Sequence, residues 1–196
     1  MHKLYAIMLA AVLAFLEGGG VMLALHHSIC THGGYRYLRF EVTARRGGSD
    51  ENVQLSELQL LDRSGSVFAW PEGMSVSSEV DGIPVFAGSP YDEIVGRHTA
   101  SESPDRLFDG SVSTKYCVYI GHRYPVVVTV ELGRIFPIGK GWSWRWYTAN
   151  DGSWRDPVSF SLSASRDGVA WKVLDSVSNA TITTSRNALA YTGEVA

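Results

Sequence analysis

Residues 35–44 read YRYLRFEVTA, and no other stretch limits the fold more. Tyr35, Tyr37, Arg39, Glu41 and Thr43 fall on one side of an extended chain. Arg36, Leu38, Phe40, Val42 and Ala44 fall on the other. Aromatic and β-branched residues in strict alternation make a strand with one buried face, a pattern no helix can bury. A second stretch, YPVVVTVELG at residues 124–133, is almost continuous in β-branched residues and predicts a central strand covered on both sides.

The rest of the chain repeats this grammar in shorter pieces. VQLSELQLLD has apolar Val53, Leu55, Leu58 and Leu60, and the slip between Leu55 and Leu58 predicts a β-bulge. Further strands are expected at 66–69 and 83–86, with 88–105 as loop. GWSWRWYTA, DPVSFSLSAS, VAWKVLDSV and ATITTS supply four more. Gly, Asp, Asn and Ser separate these runs, and no amphipathic helix of useful length follows residue 34. The expected class is all-β, an antiparallel sandwich in one domain over residues 35–196.

Residues 1–34 differ in kind. Lys3 precedes an apolar run from Leu4 to Leu16, the form of a secretory signal. Glu17 and Gly18–Gly20 interrupt the apolar character before Val21–Leu25, so the whole makes a poor membrane span. Two readings stand, a signal peptide or a retained apolar segment with a linker, and membrane contact is expected only through the retained form. His26, His27, Cys30 and His32 match no closed zinc pattern and read as polar linker. Cys30 and Cys117 are too few for a disulfide scaffold, and sequence alone leaves their pairing open. A net charge of −3 gives no basic field for nucleic acid.

The blocks YRYLRFEVTARRGG, VQLSELQLLD, LFDGSVSTKY, VVVTVELG and YTANDGSWRDPVSFSLSASRDGVAWKVLD, in this order, resemble the coagulation factor 5/8 type C, or discoidin-like, galactose-binding-like superfamily. The resemblance runs from about Tyr35 to the C-terminus. It implies a jelly-roll sandwich of about eight strands, without enzymatic activity, that recognises glycans, lipids or proteins through loops at one end. One departure stands out. The strand pair that closes many such domains opens this one, so either the topology is permuted or another chain completes the sheet edge.

The acidic stretch at 147–175 holds the candidates for catalysis. Asp151, Asp156, Asp167 and Asp175 invite a paired-carboxylate reading. However, Asp167-Gly168 is a hairpin-turn signature, Asp175 ends a strand, and Asp156 beside Arg155 suggests a loop clamp. No nucleophile elbow or phosphate loop is present, so no catalytic residue is expected. In LFDGSVSTKY, Asp109 and Thr114 correspond to a loop that the resemblance links to one structural calcium ion, with Glu194 as the added carboxylate from near the domain end. The alternative is a plain turn capped by Asp109.

For ligand contact the candidates are Trp142, Trp154, Arg145, Asn150 and Arg155. Trp142 and Trp154 sit in glycine-rich contexts that suggest exposure, whereas Trp144, Trp146 and Trp171 read as core. His98, His122, Arg123 and Tyr124 are further loop residues for a rim. Asn179-Ala180-Thr181 forms one glycosylation sequon. The expected function is a secreted, extracellular module that binds a glycan or glycoprotein. The alternative is a structural subunit of an extracellular filament, coat or virion, a homo-oligomer or polymer assembled through the apolar N-terminus or sheet edges.

Overall fold

The structure is a computed structural model that describes residues 34–196, apart from 49, 90 and 91. The expectations for the signal segment, for His26, His27 and His32, and for Cys30 lie outside the described residues. The described chain is an all-β sandwich. In chain order its strands are β1 (Tyr35–Arg45), β2 (Asn52–Leu55), β3 (Glu57–Leu61), β4 (Ser75–Val80), β5 (Ile83–Pro84), β6 (Phe86–Ala87) and β7 (Arg97–His98). There follow β8 (Tyr116–Tyr119), β9 (Val126–Phe136), β10 (Ser143–Tyr147), β11 (Pro157–Ser165), β12 (Trp171–Val177) and β13 (Leu189–Glu194). Short 3-10 turns at 100–102, 104–108 and 153–155 are the helical elements among them.

One sheet orders its strands β12-β11-β1-β9-β4-β5 and the facing sheet β13-β10-β3, with β2-β8 and the parallel pair β6-β7 as ribbons. β1 is hydrogen-bonded on both sides, to β11 and β9. The first strand of the domain is therefore an interior strand paired within its own chain. Its alternation works as expected, with Leu38, Phe40 and Val42 buried and Tyr37, Arg39 and Glu41 facing outward. Val126, Val127 and Val128 of β9 are all buried, as a central strand requires. The two sheets meet through aromatic contacts. Phe40 sits 5.8 Å from Trp144, and Phe160 lies 5.9 Å from Trp144 and 5.6 Å from Trp146.

Several expectations are corrected. The slip in VQLSELQLLD is not a bulge but a change of sheet: β2 pairs with β8, β3 pairs with β10, and Ser56 between them is tied to Tyr147 and Thr148 carbonyls. Residues 66–69 contribute only an isolated bridge at Val67, while SVSSEV forms the strand β4 because β9 offers it an open edge. ATITTS forms no strand. The Ile182 and Thr183 carbonyls accept from Arg46 Nη2 at 2.7 and 3.0 Å, and β13 takes the sheet edge instead. Trp171 is not core. Its strand is an edge strand, and the indole lies half-buried on the outer face beneath the Arg39 guanidinium. Trp142, expected to be exposed, is 8% exposed and packs edge-on to Phe68.

Asp156 has a different partner from the one expected. It is 0% exposed and is held by a two-pronged pair with Arg186, at 3.0 and 2.6 Å, with Arg46 3.6 Å away. Burial pushes its carboxyl above the usual range, and Arg186 pulls against that rise. The clamp fastens the start of β11 to the segment before β13. Arg186→Ala leaves the buried Asp156 carboxylate with only the longer Arg46 contact and should cost about 3 kcal/mol in urea unfolding, and Asp156→Ala, which strands two part-exposed guanidiniums, a comparable amount. A loss under about 1 kcal/mol in both would show that the clamp is dispensable.

Candidate functional site

Two neighbouring constellations flank β8. The first is the loop that leads into it. Asp109 ends the 3-10 turn 104–108, and Gly110 at φ 79° turns the chain back, a conformation that side chains with a Cβ resist. The Ser111 amide donates to Asp109 Oδ1 at 3.0 Å. The Thr114 hydroxyl lies 2.9 and 2.8 Å from the two Asp109 carboxylate oxygens and 2.9 Å from the Ser111 carbonyl. Asp109 and Thr114 are thus brought together, and the capped turn is present as well.

Behind this loop stands Glu57, the first residue of β3. It is 1% exposed, and its Oε2 has no hydrogen-bond partner. Burial first, and then the charge of Asp109, push its carboxyl up to about 7, against the pull of the Gly110 and Ser111 amides. A buried carboxylate beside a second one, with an unsatisfied oxygen, is an arrangement a cation would relieve. The donors are two carboxylates, a hydroxyl and loop carbonyls, all oxygen, which suits calcium rather than zinc. Among the described residues no three His, Cys, Asp or Glu side chains converge.

Glu194 does not belong to this set. It faces Ser143, which faces Leu61, so it lies by the far end of β3 from Glu57. Glu57 was not among the residues named from sequence, because a single glutamate in SEL carries no pattern of its own.

The second constellation is a polar cavity of about 330 Å³ on the outer face of the β2–β8 ribbon. Strand alternation sends Val53, Leu55, Tyr116 and Val118 into the core and leaves Lys115, Cys117 and Tyr119 for the cavity. The Lys115 side chain is only 9% exposed, yet its ammonium reaches Asp151 Oδ1 at 2.8 Å, Glu102 Oε1 at 3.3 Å and Gln54 Oε1 at 3.3 Å. Burial opposes the charge, but Asp151, with Glu102, holds the ammonium above its ordinary range. Burial would raise Asp151 in turn, and Lys115 and Arg155 outweigh it and hold the carboxyl low. Arg155 enters the wall with its guanidinium fixed by Asp50 at 2.6 Å. Cys117 is a free thiol at the cavity floor, and burial pushes it up to about 12, toward the neutral form.

Of the ligand candidates named from sequence, Arg155 lines the cavity. Asn150 is exposed beside Asp151, and Trp154 is 40% exposed with its indole N–H donating to Asp50 at 2.8 Å. The structure separates the other two. Trp142 is core, and Arg145 is engaged on the three-stranded sheet, donating to Gln59 at 2.8 Å. His98 lines the cavity with Nδ1 2.6 Å from the Thr99 carbonyl, whereas His122 pairs with Glu51, Arg123 with Asp81, and Tyr124 is half-buried against the core. Lys115 and Glu102 had no sequence signal of their own, since each is one charge in a loop until the fold joins them. No protein-family model, no curated protein and no solved structure matches the chain.

Glu57 sets a pH dependence of stability. Its folded pKa of about 7 lies above the usual 4.5, so the folded state binds the extra proton and stability falls as pH rises between those values. The difference corresponds to about 3 kcal/mol. Urea unfolding in a chelator at pH 5 and pH 8 should therefore show the protein weaker at pH 8, and Glu57→Gln should remove that difference. A flat wild-type profile would mean that the carboxylate is solvated or otherwise paired.

Proposed function

We propose that this chain is a non-enzymatic extracellular binding module of the discoidin-like type, which holds one residue of a glycan or glycoprotein in the Lys115 cavity above a structural calcium site. The observation that carries the reading is the cavity's composition. It presents fixed donors, Lys115 and Arg155, and fixed acceptors, Asp151 and Glu102, in near balance within about 330 Å³. A hydroxyl-rich ring offers donors and acceptors on every edge, so it can exchange hydrogen bonds with such a wall without bringing a net charge. Trp154, exposed beside the Asp50–Arg155 pair, offers a ring face for stacking at the rim. The resemblance carried by the sequence blocks and the sandwich architecture support the same family of functions.

In this reading Glu57, Asp109, Thr114 and the Ser111 carbonyl hold the calcium ion, which supplies charge neutralisation for two carboxylates and fixes the loop. Thr114 is followed directly by Lys115, so ordering the loop orders the ammonium. The Lys115–Asp151 pair presents itself to the ligand already formed, which lowers the entropic cost of binding.

The test is isothermal titration with hits from a glycan array, using residues 34–196 and the full chain. The wild type should bind a neutral saccharide, and Lys115→Met and Asp151→Asn should each weaken it at least about tenfold while retaining the wild-type circular dichroism spectrum. Calcium should raise the melting temperature of the wild type and not of Glu57→Gln. Failure of any glycan to bind, with both variants folded, would overturn the ligand reading. An unchanged melting temperature in calcium would overturn the metal site alone.

A further inference from the structure

The outer face of the six-stranded sheet carries a feature that the cavity does not use. Arg39 sits at the middle of this face, on β1. Its guanidinium lies 3.9 Å from the centroid of the Trp171 ring, and its Nε is buried without a hydrogen-bond partner. Among the described residues no carboxylate or carbonyl engages that guanidinium. The neighbouring cation on the strand, Arg36, is by contrast neutralised by Glu131 at 2.5 Å. A cation that is stacked, part-buried and unpaired is costly unless something else supplies its hydrogen bonds.

Along its own strand Arg39 shares the outer face with Tyr37 and Glu41, and across the neighbouring strands it meets hydroxyls. In register it faces Ser163 on β11 and Thr129 on β9, and Thr129 faces Ser77 on β4. Arg39, Thr129 and Ser77 line a groove of about 220 Å³, which Glu79 closes further along β4. Cation–π stacking fixes the plane of the guanidinium, so its donor edge is set before any ligand arrives.

We propose that this groove is a second binding site, which takes the carboxylate of an acidic sugar such as a uronate. The planar carboxylate meets the guanidinium fork through two parallel charge-assisted hydrogen bonds, and the Thr129 and Ser77 hydroxyls meet the adjoining sugar hydroxyls. Glu79 is the one carboxylate of the groove lining, and it disfavours a densely anionic chain, so the groove suits a single charge flanked by neutral rings. The site is independent of the Lys115 cavity, since the two share no lining residue.

The decisive experiment is a titration followed by the ¹H–¹⁵N resonance of Arg39 Nε–H and the indole resonance of Trp171. The probes are a glucuronate-containing disaccharide, its neutral glucose counterpart, and inorganic sulfate. The uronate should shift both resonances saturably. Arg39→Met, which keeps an aliphatic stem over Trp171, should weaken uronate binding at least about tenfold, with Arg39→Lys falling between. Lys115→Met should bind uronate as the wild type does, which separates this site from the cavity. Equal shifts from the neutral sugar, equal affinity of sulfate, or undiminished binding by Arg39→Met would each overturn the proposal.

Discussion

The edge-to-face contact of Phe40 with Trp144, shared with Phe160, is the place where the two sheets become one core. Phe40 and Phe160 come from neighbouring strands of the large sheet, and Trp144 comes from the middle strand of the small one. Because β1 is interior, its inward residues must match partners on β9, β11 and the opposite sheet at once. A slip of one residue would exchange Leu38, Phe40 and Val42 for Tyr37, Arg39 and Glu41 along the whole strand. The same register that buries Phe40 therefore presents Arg39 to solvent between Ser163 and Thr129.

Charge is handled differently at the three polar sites. Asp156 is buried and fully answered by Arg186. Lys115 is buried and answered by acceptors that also open onto a cavity. Glu57 is buried beside another carboxylate with one oxygen unanswered. The first arrangement is a fastening, since nothing polar remains to bind. Lys115 reaches a cavity and Glu57 keeps one buried oxygen without a partner, which sets both apart from a closed clamp.

Strand class and the core face were legible because they rest on period-two alternation, which Leu38, Phe40 and Val42 or Trp144 and Trp146 display without help from the fold. What escaped was whatever depends on neighbours in space. Trp171 alternates like a core residue, yet its strand lies at an edge, and Trp142 follows a glycine, yet Phe68 covers it. ATITTS has β-branched composition but loses its carbonyls to Arg46. Of the site residues, Asp109 and Thr114 share one loop and could be read together. Glu57 and Lys115 acquire their partners from segments far along the chain, Glu57 from the Asp109 loop and Lys115 from Glu102 and Asp151. Local pattern does not report such encounters.

The change of sheet at Ser56 has an effect on how this domain can vary. Gln54, before it, contacts the Lys115 ammonium, and Glu57, after it, stands behind the Asp109 loop. The Lys115 cavity and the Asp109 loop are thus both contacted from one tetrapeptide, whose third residue, Ser56, is bound to the Tyr147 and Thr148 carbonyls. Inserting or deleting a residue there would rotate either the glutamine or the glutamate out of place, whichever side absorbed the change. This short crossing therefore has to keep its length for both contacts to persist.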